Sequence, residues 1–183
     1  MTAAARLVFV MLLALATGAC SIPYIPGLTP APPAGGVDLK DANGKIVGKG
    51  VLVQEGRKVR LLLDVTGLPP GFKGVHLHAV GRCDPPSFES AGPHFNPASA
   101  QHGSQNPRGP HAGDLPNITV DGAGTGHLEF SDLKVSLHKK DGDTLFGPNG
   151  TSLVLHADPD DLRTDPDGKS GARIACGVIQ PAR

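Results

Sequence analysis

Residues 43–65 read NGKIVGKGVLVQEGRKVRLLLDV, and this stretch decides the fold class. Two runs rich in β-branched residues or Leu, 45–54 and 57–65, each follow a turn pair, Asn43-Gly44 and Glu55-Gly56. That pattern predicts successive antiparallel strands joined by a tight turn. Working outward, strands are expected at 73–80, 117–121, 126–130, 152–156 and 173–179. Composition agrees, because 25 Gly and 18 Pro with no Trp favour turn-rich β structure over helical bundles. Short strands with Gly-rich turns imply an all-β sandwich or barrel. Two stretches resist a strand reading: 81–116 and 157–172 are long, polar and rich in Pro, Gly and Asp. Loops of that length are usually functional when ordered.

The N-terminus has a different character. Arg6 precedes an apolar run from Leu7 to Ala16, and Thr17-Gly18-Ala19-Cys20 follows, an ending that resembles a bacterial lipobox. The run is too short to cross about 30 Å of hydrocarbon as a permanent helix, so residues 1–19 read as a removed signal peptide of lipoprotein type. Cleavage there leaves Cys20 as a lipidated N-terminus, and two or more acyl chains give firm anchoring. An ordinary cleaved signal with an incidental Cys is the alternative, with Thr17 where Leu is usual; export follows either way. Residues 20–36, including SIPYIPGLTPAPPAGG, have no apolar period and read as a Pro-rich tether, leaving 37–183 as one globular domain. The expected location is the cell envelope, on its periplasmic or extracellular face.

Net charge is zero, so nothing in the sequence calls for nucleic acid or an anionic membrane surface; membrane contact is expected through the lipid anchor alone. Of three cysteines, Cys20 is assigned to lipid, which leaves Cys83 and Cys176. An oxidising compartment would let these two pair; two free buried thiols are the alternative.

Six of the eight histidines lie at or between the two long loops: His76, His78, His94, His102, His111 and His156. His76 and His78 in GVHLHAV stand two apart on a predicted strand, so both rings project to one face and can reach the same ion. By itself such a pair more often marks two satisfied histidines than a metal site. His94, His102 and His111 are followed by Asp114 in a segment with little to bury. Three neutral imidazoles and a carboxylate form the four-coordinate set that zinc favours, and metal binding can supply the ordering energy such a loop lacks. His127 and His138 fall outside this constellation and receive no role.

Six motifs carry a family resemblance: GVHLHAVGRC (74–83), AGPHFNP (91–97), QHG (101–103), PHAGDLPN (110–117), LHADPDDL (155–162) and GARIACGVI (171–179). In this order they resemble copper,zinc superoxide dismutase of the bacterial lipoprotein type, over nearly all of 37–179. The resemblance implies a Greek-key β-sandwich or flattened barrel of about eight antiparallel strands with two long functional loops. It implies copper held by His76, His78, His94 and His156, and zinc held by His94, His102, His111 and Asp114, with His94 shared. Asp160 then orients His76 and His102, Cys83 pairs with Cys176, and Arg173 sits beside the copper. An all-imidazole set with neither Cys nor Met suits a copper that visits both oxidation states.

The implied reaction is dismutation of superoxide to dioxygen and hydrogen peroxide by a redox-cycling copper bridged through His94 to a structural zinc, as antioxidant defence. His94 and Arg173 are the residues expected to act on the substrate. Charge steering of that substrate is a property for which this family is itself the standard case, not a reading of this sequence. Lys169 is a further candidate for attracting the anion, and Thr151 and Thr164 for lining its pocket. The loop 157–172 departs from many eukaryotic members in being shorter and more acidic, which bears on steering efficiency. Whether the protein is a monomer or a homodimer is left open. Rival readings are a copper-handling domain without turnover and an envelope lipoprotein whose zinc only staples a loop. The first expects a missing copper ligand, and the second leaves His76, His78 and His156 unexplained.

Overall fold

Strand β3 (Lys58–Val65) shows how the barrel is built: Val59, Leu61, Leu63 and Val65 are buried while Lys58 and Asp64 are exposed. A period of two places alternate side chains on one face. Each fully buried Leu or Val contributes about 1.5–3 kcal/mol through loss of apolar surface to water. The computed structural model describes residues 34–182. The expected signal peptide 1–19, Cys20 and the tether as far as residue 33 lie outside the described residues.

Before β3 come β1 (Ala34–Asp41) and β2 (Ile46–Glu55). After it come β4 (Gly71–Lys73), β5 (Val75–His78), β6 (Ile118–Val120), β7 (Gly126–Leu133), β8 (Ser152–His156), β9 (Arg173–Val178) and β10 (Gln180–Pro181). The order is β4-β6-β7-β3-β2-β1-β9-β8-β5, all antiparallel, with β10 on β1. Only Gly74 separates β4 from β5, so the two ends of the order lie side by side and the sheet nearly closes into a barrel. The chain crosses from one half of the order to the other between β7 and β8, a Greek-key connection. A core of Leu39, Leu52, Leu61, Leu63, Leu77, Leu153 and Leu155 fills the interior. The one helical element among the described residues is a 3-10 turn, Glu89–Ala91.

All seven expected strands are present, the one at 152–156 with the expected ends. The stretch 73–80 divides at Gly74, whose backbone is pinned on both sides: its N–H donates to Asp158 O and its O accepts from His156 N–H, each at 2.9 Å. A Cβ there would meet Ser170 Oγ at 2.8 Å, so the close approach of the second long loop requires glycine. β1 begins at Ala34, within residues expected to belong to the tether. Gly35 and Gly36 hide it from a propensity reading, yet they pair with Leu52 and Val51 of β2.

The long loops separate β5 from β6 and β8 from β9. Cys83 and Cys176 are joined by a disulfide with Cα atoms 5.6 Å apart, which ties the start of the first loop to β9. Bridging residues 93 apart stabilises the fold by about 4–5 kcal/mol in the chain-entropy account.

Candidate metal centre

β5 supplies His76 and His78 with all four of its residues buried, and Leu77 between them turns into the core. β8 ends in His156, beside β5 in the sheet. The first long loop runs back along β5 through bridges of His78 with His94 and His76 with Asp114. Strand period and loop register therefore bring residues 76, 78, 94 and 156 together, with ligand atoms all within 4.8 Å of one another.

Each of the non-shared rings on this side uses its outer nitrogen on a protein acceptor. His76 Nε2 donates to Asp160 Oδ2 at 2.8 Å, His78 Nδ1 to Gly92 O at 2.8 Å and His156 Nδ1 to Gly171 O at 3.2 Å. The remaining nitrogens, His76 Nδ1, His78 Nε2 and His156 Nε2, are buried without a hydrogen-bond partner. Three convergent orphaned nitrogens are costly in a folded core unless a cation accepts their lone pairs. Burial holds these rings neutral, lowering His76 to about 4, His78 to about 2 and His156 to about 3. Neutral imidazole is the form that binds a metal.

The other set gathers around one oxygen. Asp114 Oδ1 lies 3.1 Å from His94 Nδ1, 3.0 Å from His102 Nδ1 and 3.2 Å from His111 Nδ1, and the last is 3.4 Å from His94 Nδ1. Tetrahedral donors at zinc bond lengths stand about 3.3 Å apart, so this spacing fits. Asp114 Oδ2 is satisfied separately by the N–H groups of Gly103 and His111, both at 2.9 Å. His102 Nδ1 is also without a hydrogen-bond partner. A looser grouping of His76, His94, His102 and Asp114 also lies within 4.8 Å. His76 is better placed in the four-histidine set, because its Nε2 is committed to Asp160 and its ring stacks on His94 at 4.1 Å.

His94 alone belongs to both sets. Its Nδ1 faces Asp114, which leaves Nε2 for the four-histidine side. Asp160 links the two from outside, accepting from His76 Nε2 on one oxygen and from His102 Nε2 at 2.9 Å on the other. Asn117 fixes Asp160 in turn: its Nδ2 donates to Asp160 O at 2.9 Å and its Oδ1 accepts the Asp160 N–H at 2.8 Å. Burial opposes charge here, but the close imidazole–carboxylate contacts win. They raise His102 to about 9 between Asp114 and Asp160, and hold both carboxyls well below the usual range. Two carboxylates therefore flank the His102 ring, a negative setting that suits a bound cation.

Arg173 opens β9 and is half-buried, its guanidinium donating to Phe88 O at 2.8 Å and Gly92 O at 2.9 Å. It lines a cavity of about 740 Å³ together with His94, His156, Pro93 and Glu89. Among the candidates for attracting or seating an anion, Thr151 is buried on Leu145 O and Thr164 bonds Asp161, so neither lines this cavity. Lys169 is exposed and 4.0 Å from Asp161. His127 is on the surface beside Asp64, and His138 is exposed. The carbonyls of Phe88 and Gly92 were invisible to sequence reasoning, because any residue carries one.

Residues 42–179 match the family of copper/zinc superoxide dismutase (SODC). The chain is 44% identical over 144 residues to superoxide dismutase [Cu-Zn] 1 of Aquifex aeolicus, covering 78% of this chain and 85% of that one. It is 42% identical over 146 residues to superoxide dismutase [Cu-Zn] of Caulobacter vibrioides, covering 78% and 83%. Among solved structures it resembles a SOD-like protein from Bacillus subtilis, with a TM-score of 0.75 at 36% identity over 78% of this chain and 96% of that one.

Proposed function

The chain belongs to the copper/zinc superoxide dismutase family, and on that premise we propose that it dismutates superoxide at the cell envelope. Two superoxide ions and two protons give one dioxygen and one hydrogen peroxide. The observation that carries the assignment is the set of orphaned nitrogens on His76, His78 and His156 beside a ring that also faces the Asp114 set. In this reading copper is held by His76, His78, His94 and His156, and zinc by His94, His102, His111 and Asp114. Copper supplies one-electron redox exchange, and zinc supplies fixed positive charge and ligand geometry.

The chain's own groups do the rest. Arg173, anchored on two carbonyls, holds the small anion in the cavity next to His94 and His156. His94 is the proton carrier: Nε2 takes up a proton and returns it to the forming peroxide, while Nδ1 stays anchored on the Asp114 side. Asp160 keeps His76 and His102 each with a proton on the outer nitrogen, so the inner lone pairs remain available. Adding copper and zinc to the metal-free protein should produce superoxide removal, which zinc alone should not restore. Full copper occupancy without turnover would refute the reading.

Export and anchoring belong to the same proposal. Support comes from Arg6, the apolar run 7–16 and Cys20, and from the Cys83–Cys176 bond, which suits an oxidising compartment. Labelling with radioactive palmitate in cells should mark the protein, and Cys20→Ala should release it into the soluble fraction. A Cys20→Ala protein that stays with the membrane would contradict the anchor.

A further inference from the structure

A second carboxylate from the loop 157–172 also reaches the zinc side. Asp165 Oδ1 accepts the backbone N–H of His102 at 2.6 Å, and the same oxygen lies 3.8 Å from His111 Nε2. His111 turns Nδ1 inward, 3.2 Å from Asp114 Oδ1, so its outer nitrogen is the one that faces Asp165. At 3.8 Å this is not a hydrogen bond but a carboxylate facing the outer nitrogen of the ring. A carboxylate in that place favours the tautomer with the proton on Nε2 and leaves the Nδ1 lone pair free to bind a cation.

Asp165 is held where it can do this. Gln105 N–H donates to Leu162 O at 3.0 Å, and Arg163 Nε donates to Gln105 Oε1 at 2.7 Å, so the two long loops are fastened together just before it. Gly103 allows that approach: a Cβ there would fall onto the Leu162 carbonyl, and its φ of +101° suits glycine. Asp160 orients His76 and His102 by direct hydrogen bonds. His111 has no such partner on Nε2 among the described residues, and Asp165 is the carboxylate that faces it.

We propose that Asp165 is a positioning residue of the zinc site, one oxygen fixing the backbone of His102 and the ring of His111. The short acidic loop 157–172 then serves as a clamp on zinc ligands, with Asp160 and Asp165 as its two contact points. This rests on the zinc assignment above.

The test uses cobalt(II) in place of zinc in the full-length protein, read by its visible d–d bands, with zinc competition for affinity. Wild-type protein should show strong tetrahedral bands. Asp165→Asn keeps an acceptor for the His102 N–H but removes the charge facing His111; Asp165→Ala removes both. Both variants should bind zinc about 10–100-fold more weakly, Ala the weaker, and saturated samples should show shifted bands because the His111 ring is no longer held. Affinity and bands equal to wild type in both variants would overturn the proposal. Weaker binding with unmoved bands would overturn the role at His111, since mere loosening of the loop has that result. Wild-type protein without tetrahedral bands would instead sink the zinc assignment itself.

Discussion

His94 is the residue proposed to carry the chemistry, because its two nitrogens have different neighbours. Nδ1 is committed to the Asp114 group, and Nε2 is left for the side where His78 and His156 present orphaned nitrogens. His156 belongs to that side only, its outer nitrogen on Gly171 O. His156→Ala should therefore abolish superoxide removal while leaving a folded protein that still binds zinc stoichiometrically; retained turnover at normal copper content would remove His156 from the site. Arg173, proposed to act on the anion, pairs with His156 across β8 and β9 and spends its guanidinium on Phe88 O and Gly92 O. Arg173→Ala should slow turnover roughly tenfold or more and flatten its dependence on ionic strength. An unchanged salt profile would exclude a steering role. The six histidines and Asp114 were legible because ligand chemistry is written in side-chain identity and spacing. Asp165 and the Gly92 carbonyl were not, since nothing local distinguishes one loop aspartate or one backbone oxygen from another until the loops are folded together.

Among the elements, β5 and the two long loops make the centre. HxH on a strand is readable by its period of two, and the Gly- and Pro-rich loops announced themselves by lacking any period. β4 and β10, at three and two residues, are too short to carry a pattern, and the glycines of β1 mask a strand that is specified by pairing with β2 and β9. The disulfide belongs to this scale too. It fastens the loop that supplies the Phe88 and Gly92 carbonyls to β9, three residues beyond Arg173. Reducing it, or replacing both cysteines with serine, should lower stability by about 4–5 kcal/mol in denaturant titrations of the metal-loaded protein. Turnover should fall as well, because Arg173 and His78 lose their fixed acceptors. An unchanged denaturation midpoint would show that the bond contributes no stability.

At the scale of the whole molecule, the barrel interior is ordinary: alternating Leu and Val from β2, β3 and β8 fill it, and the sequence period announced this. What the fold adds is a closure. With β4 and β5 consecutive in the chain, the ends of the strand order meet beside the candidate ligands; the first long loop runs along β5 and the second reaches it through Asp160. No local pattern encodes that meeting, which arises from pairings between residues far apart in sequence, such as His76 with Val154. The centre is thus built on the most buried strand pair, β5 and β8, where every residue is buried and His156 alone also lines the cavity.

Anomalous diffraction from crystals of the protein loaded with copper and zinc, collected at both absorption edges, bears most directly on this account. It should place copper among His76, His78, His94 and His156 and zinc among His94, His102, His111 and Asp114, one on either side of the His94 ring. A single ion, or two ions that do not share His94, would contradict it.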